Sequence, residues 1–169
     1  MRAALDRLFH ATGVLAAVFM VGTLAMVIVG VAARLLGFNV PGTDSYAGYC
    51  MAAAGFLALA HTLKRGEHIR VTLILEHLPP GPQRVLALWA LGVATLLSAL
   101  FAYYSVRLSW QSWDFHDVST GNDATPLWIP QLSMALGAVV LCIAFVDELV
   151  LEWQGARLAK LPDEALHNE

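Results

Sequence analysis

The sequence predicts an all-α integral membrane protein with four transmembrane helices, and three observations carry that prediction. Four stretches, residues 11–33, 45–63, 85–106 and 124–146, contain no Asp, Glu, Lys or Arg. Each is long enough, at about 1.5 Å of rise per residue, to cross a hydrocarbon layer about 30 Å thick. Of the 169 residues, 58% are hydrophobic and only 14% are charged, whereas a soluble domain carries about a quarter charged residues. The four stretches and their connections also use up nearly the whole chain, which leaves no room for a soluble domain. Lipid supplies no hydrogen bonds to a backbone, so each crossing is expected as a helix.

The crossings are placed at 11–33, 45–63, 85–106 and 126–148, in a single membrane domain over 1–169. The first has the basic start (Arg2, Arg7) and small terminal residues (Ala32, Ala33) of a signal peptide. Its apolar run exceeds the roughly 7–15 residues of a signal core, so it reads as a retained span. The N-terminal turn, with Leu5, Leu8 and Phe9 beside Arg2, Asp6 and Arg7, is amphipathic and is expected at the inner surface. The second span ends at Lys64-Arg65-Gly66, and residues 69–78 then mix apolar and polar side chains. Their alternation also fits a strand, but a lone strand beside a bilayer leaves its backbone unpaired, so a short interfacial helix is preferred. Pro79-Pro80-Gly81-Pro82 ends that segment. The third span follows, then a polar loop, the fourth span, and a charged helical tail stopped by Pro162.

Charge placement sets the orientation. Arg2, Arg7, Lys64, Arg65, Arg70, Arg84, Arg157 and Lys160 lie on one side and only Arg34 and Arg107 on the other. The positive-inside rule puts the richer side, with both termini, in the cytoplasm. Tyr46, Tyr49, Tyr103, Tyr104, Trp110, Trp113 and Trp128 then mark the outer boundary, with Trp89 and Trp153 at the inner one, as interfacial anchors. Small residues at helical spacing (Gly13/Ala17, Gly48/Ala52, Ala54/Ala58, Ala90/Ala94, Ser133/Gly137) permit close helix approach. Cys50 and Cys142 are offset along their spans by on the order of 15 Å, so no bridge is expected.

Few residues offer chemistry. His10 and His61 both sit at inner span ends. Two such imidazoles can in principle ligate one b-type haem, so a haem-binding anchor subunit of a respiratory enzyme stands as the alternative reading. Carbonyl or headgroup partners are the simpler reading of both. Asp114-Phe115-His116-Asp117 and Asp123 supply oxygen atoms without calcium-loop spacing. No serine or cysteine has a paired base, no glycine-rich phosphate loop is present, and no basic patch suggests nucleic acid. Neither an enzyme nor a cofactor protein is expected. Stretches 11–33, 45–63, 85–106 and 124–146, free of Asp, Glu, Lys and Arg, read as a membrane scaffold, because intramembrane ionisable groups are what usually mark ion paths and proton relays.

Several residues carry a resemblance. Arg34, the turn with Gly37, Pro41 and Gly42, and Asp44 look like the first outer connection of the DctQ-like proteins. These are the small membrane subunits of tripartite ATP-independent periplasmic (TRAP) transporters. Gly55-Phe56-Leu57-Ala58-Leu59-Ala60-His61-Thr62-Leu63, the run Gly66-Glu67-His68-Ile69-Arg70-Val71, and Pro126-Leu127-Trp128-Ile129-Pro130 are also similar to that family. One departure stands out: many members carry a Trp and paired acidic residues after the first turn, where this chain has Asp44 alone.

The resemblance implies a sodium-coupled secondary transporter of an organic acid anion in the bacterial inner membrane. Its large DctM-like subunit moves as an elevator, this chain braces it, and a periplasmic binding protein delivers the cargo. Arg34, Asp44, Lys64, Arg65, His68 and Arg70 are the candidates for contact with the large subunit or with membrane lipids. Asp114, Asp117 and Asp123 are the candidates for docking the binding protein.

Overall fold

A computed structural model of the chain describes residues 2–38, 40–65, 80–121 and 123–154. It contains helices α1 (Arg2–Leu35), α2 (Thr43–Lys64), α3 (Pro80–Asp114) and α4 (Trp128–Trp153). All four are long and apolar enough to cross a membrane. The described residues contain no strand, only an isolated bridge between Val118 and Pro126. The expected interfacial segment at 69–78 and the charged tail beyond residue 154 lie outside the described residues.

Two helices run well past the stretches that announced them. The 34 residues of α1 and the 35 of α3 each extend about 50 Å. The N-terminal turn expected at the inner surface is the start of α1 itself. Leu5 and buried Phe9 pack there on Ala60 and Leu63 of α2 and on Val140 and Ala144 of α4. Neighbouring helices thus cover Leu5 and Phe9 of its apolar face, while Leu8 is exposed. Pro80 opens α3, because a first-turn residue needs no amide hydrogen for the helix. Arg107, expected in the outer connection, is an exposed residue within α3.

The helices stand in a single row, α1–α2–α4–α3, rather than closing into a bundle. Extensive packing joins only neighbours in that row; between α2 and α3 the rings of Phe56 and Phe101 stack at 5.9 Å. Such a row buries few large side chains; among the described residues Phe9, Leu57 and Leu63 are the large apolar ones most withdrawn. Its contacts are made by small residues: Ala53, Ala54 and Ala60 of α2 and Ala135, Ala138 and Ala144 of α4. Gly137 of α4 lies so close to α2 that an added Cβ would stand 2.6 Å from the Phe56 carbonyl. Along α3, Ser98, Ala102, Ser105, Ser109 and Ser112 are buried at three- and four-residue spacing, which makes one continuous seam. The flanks remain apolar and exposed, with Val18, Val21 and Leu24 on α1 and Leu96, Leu97 and Tyr103 on α3.

The turns follow local rules. Gly37 ends α1 in the left-handed conformation (φ 74°), with Phe38 N–H bonded to Ala33 O at 2.9 Å. This is the Schellman closure, which satisfies carbonyls the helix leaves open. His116 (φ 55°) closes α3 the same way, with Asp117 N–H on Ser112 O at 3.0 Å. Short connections make α1/α2 and α3/α4 antiparallel neighbours. One edge of the row therefore collects the starts of α1 and α3 and the ends of α2 and α4, here the tail end; the opposite edge is the loop end.

Candidate functional site

The functional side chains gather at the two edges of the row, with little polar chemistry between them. At the tail end a basic residue ties each neighbouring pair. His61 of α2 places Nδ1 3.1 Å from the Phe9 carbonyl of α1, a contact that requires the Nδ1–H tautomer. Its ring fills the space over Gly13, where a Cβ would stand 2.8 Å from Cγ. Lys64 of α2 donates to Asp147 and, at 3.2 Å, to Glu148 of α4. Its Nζ lies 5.3 Å from the centre of the Phe9 ring, where the negative ring face favours a cation. Arg84 of α3 donates to the Trp153 carbonyl at the end of α4 at 2.8 Å.

The Lys64 group is largely withdrawn from solvent: the side chains of Lys64, Asp147 and Glu148 are 18%, 23% and 9% exposed. A lone buried charge is costly, and here each charge has a partner. Glu148 and buried Glu152 have further polar contacts. The sequence reading did not join Lys64 to the fourth span. The available signal was Asp147-Glu148 closing an apolar helix opposite a lysine closing another.

At the loop end, the chain from α3 to α4 folds back on α2. Val118 and Pro126 bridge, Ser119 N–H bonds Thr125 O at 2.8 Å, and Leu127 N–H bonds Asp117 O at 2.9 Å. Asp123 accepts hydrogen bonds at 3.0 Å from the hydroxyls of Tyr49 on α2 and of Ser119. Hydrogen bonding from Thr125, and then from Ser119 and Tyr49, outweighs partial desolvation and holds the Asp123 carboxyl well below the usual carboxylate range. Thr125 also bonds the Tyr46 hydroxyl at 3.2 Å. Tyr46 and Tyr49, read from sequence as interfacial anchors, are thus the clamp between α2 and this loop. Gly42 lies against it, since a Cβ there would stand 2.9 Å from that of Asp123.

The expected site residues divide accordingly. Arg34 and Asp44 meet at 3.0 Å across the α1–α2 turn, with side chains 73% and 84% exposed. Arg65 is exposed just past α2, while His68 and Arg70 lie outside the described residues. Asp114 and Asp117 are exposed, and Asp123 is half-buried in the loop clamp. His10 and His61 come within 6.3 Å, with rings tilted by 57°. Among the described residues no cluster of three His, Cys, Asp or Glu side chains fits a metal ion. Cys50 and Cys142 are free thiols.

The family model described as "Tripartite ATP-independent periplasmic transporters, DctQ component" matches residues 23–155. The chain belongs to the DctQ family. The match spans all of α2, α3 and α4 and the last third of α1. No curated protein matches the sequence. The DctQ protein is therefore a multi-pass membrane component of a tripartite transporter, a transport part rather than an enzyme.

Proposed function

We propose that this DctQ protein is the static accessory subunit of a sodium-coupled TRAP transporter importing an organic acid anion across the bacterial cytoplasmic membrane. It braces the large DctM-like subunit and helps receive the periplasmic binding protein. The observation that carries the reading is the row laced at both edges. His61, Lys64 and Arg84 tie neighbours at the tail end, and Arg34–Asp44, Tyr49–Asp123 and the Trp113–Trp128 ring pair (4.8 Å) tie the loop end. Such lacing resists sliding of one helix past the next. Among the described residues, every Asp, Glu, Lys and Arg lies near a helix end or in a loop. A partner can then pack against the exposed flanks without desolvating ions, and driving force and selectivity reside in that partner.

The Lys and Arg distribution supports cytoplasmic termini, with the loop end facing the periplasm. Asp114 and Asp117 then offer negative charge to the binding protein, and Asp123 fixes the loop that presents them. Arg34, Asp44 and Arg65, with His68 and Arg70, serve contact with the large subunit or lipid headgroups. Lys64 acts from within by holding α2 to α4.

Reconstitution tests the reading. Vesicles holding both membrane subunits, with binding protein outside and an inward sodium gradient, should accumulate the anion. Vesicles with either membrane subunit alone should not. Accumulation by this chain alone, or unchanged uptake when it is left out, overturns the proposal. A Soret band in the purified chain would instead favour a haem anchor.

A further inference from the structure

A cleft of about 250 Å³ opens at the loop end between α1 and α2. Gly30 and Arg34 of α1, Phe38 and Val40 of the turn, and Thr43 and Asp44 of α2 line it. Three features of this cleft concern its occupant. First, α2 begins without a side-chain cap: Gly42 is left-handed at the N-cap, and the first bonded amide is that of Tyr46, on Gly42 O at 2.9 Å. Among the described residues the N–H groups of Thr43, Asp44 and Ser45 thus have no acceptor at the positive end of a helix, a geometry suited to an oxyanion. Second, Thr43 is only 9% exposed, and among the described residues its hydroxyl has no hydrogen-bond partner. A Cβ on Gly30 would come within 3.2 Å of that Oγ1, so the missing side chain keeps the floor of the cleft open beside an unused donor. Third, opposite charges face each other at the mouth: the Arg34 guanidinium, with several donors beyond the one spent on Asp44, and the Asp44 carboxylate, with acceptor sites to spare.

The position of the cleft narrows the ligand. Leu35, Leu36, Phe38 and Val40 are exposed and apolar around it, at the end of a membrane-crossing helix. That is the boundary between acyl chains and headgroups. A free dianion drawn to Arg34 would meet the Asp44 carboxylate a few ångströms away. A headgroup carrying both a phosphate diester and a primary ammonium matches both charges.

We propose that this cleft binds one phospholipid of the ethanolamine type, its phosphate on Arg34, the Thr43 hydroxyl and the open α2 amides, and its ammonium on Asp44. Its acyl chains lie along the exposed apolar face of α1. The lipid satisfies donors that the fold leaves open and wedges the α1–α2 turn. The site does not depend on the transport role.

The full chain in nanodiscs tests this. After delipidation, native mass spectrometry should find one phosphatidylethanolamine retained from an equimolar mixture with phosphatidylglycerol and phosphatidylcholine. Arg34→Gln and Thr43→Val should each lower retention about tenfold, while Thr43→Ser, which keeps the hydroxyl, should not. Asp44→Asn should abolish the preference for ethanolamine over choline. Soluble glycerophosphoethanolamine, a diester with the same ammonium, should compete, and inorganic phosphate at equal concentration should not. Retention of phosphatidylglycerol at the same level overturns the proposal. So does displacement by inorganic phosphate, which would mark a free-anion site, or retention unaffected by Thr43→Val. Thr43→Val keeps the shape of threonine without its hydroxyl and Thr43→Ser keeps the hydroxyl, so the two together decide the matter even if Arg34→Gln fails to fold.

Discussion

Lys64 and Glu148 lie 84 residues apart in sequence and 3.2 Å apart in space, with Asp147 beside them as a second acceptor. This contact joins the two middle helices of the row where both leave their apolar stretches. It works with the small-residue packing further along: Gly137 sets how near α2 and α4 approach, and the ion pairs set their register at one end.

Removing the cation should expose the cost of the arrangement. Lys64→Met takes from Asp147 and Glu148, both mostly withdrawn from water, the cation they share. Breaking one side of such a group costs about 3 kcal/mol. Thermal unfolding of the purified chain should therefore shift down clearly. Lys64→Met combined with Asp147→Asn and Glu148→Gln should recover most of that loss, because the carboxylate charges are removed together with the cation. A single variant as stable as the parent would show that the pair contributes nothing to holding α2 on α4.

Gly137→Ala should also destabilise, for a steric reason. The new Cβ meets the Phe56 main chain at 2.6 Å, and backbone cannot swing aside as a side chain can. An overpacking cost of about 1–3 kcal/mol is expected. Gly48→Ala, where nothing lies within 4 Å, should be neutral or better on the same melting assay.

Ser109 tests the α3–α4 seam in the opposite direction. Its hydroxyl is buried and, among the described residues, has no hydrogen-bond partner; Gln131 Oε1 on α4 is in the same condition. Both stand about one turn below the Trp113–Trp128 contact, on the facing sides of the two helices. Ser109→Ala keeps the residue small and removes an unpaired polar group, so it should raise stability by about 1 kcal/mol. A loss on melting would show that the hydroxyl is bonded in the membrane.

The loop clamp has a pH signature. The carboxyl of Asp123 titrates below its unfolded value, so its contribution is complete above the unfolded pKa of about 3.9. It is lost only as pH falls further, towards the depressed folded value. Proteolysis at residues 115–127 should therefore stay slow down to about pH 4 and accelerate below it. Tyr49→Phe withdraws one of the hydroxyls that hold the carboxylate, so it should speed proteolysis at neutral pH and reduce the acceleration seen below about pH 4. The same neutral-pH rate and the same acid acceleration in the variant would remove Tyr49 from the clamp.

Asp114 and Asp117 report on docking. Reversing both to Lys should slow binding-protein-dependent uptake several-fold at about 10 mM salt, where surface charges act over about 30 Å. The difference should fade at about 1 M, where that reach falls to about 3 Å. Equal uptake at low salt would show that this loop does not meet the binding protein.

The four helices and the edges that carry polar chemistry could be read directly from the string of residues. The reason is that a bilayer imposes two conditions every crossing must meet locally: enough apolar length, and an internally bonded backbone. Helix ends read less well. Membrane thickness limits the apolar run but not the helix, so the helical stretch of α3 begins before and ends after the span that revealed it.

Folding alone revealed who stands beside whom. Nothing in the spans distinguishes a closed bundle from the row α1–α2–α4–α3, since lipid and a neighbouring helix are about equally apolar solvents. Backbone shape decides: Gly137 over Phe56 and the serines of α3 permit close approach along particular faces and no others. The partners of Lys64 and Asp123 depend on that order, because each reaches across to a different helix. Long-range pairings of this kind leave no local pattern in a sequence.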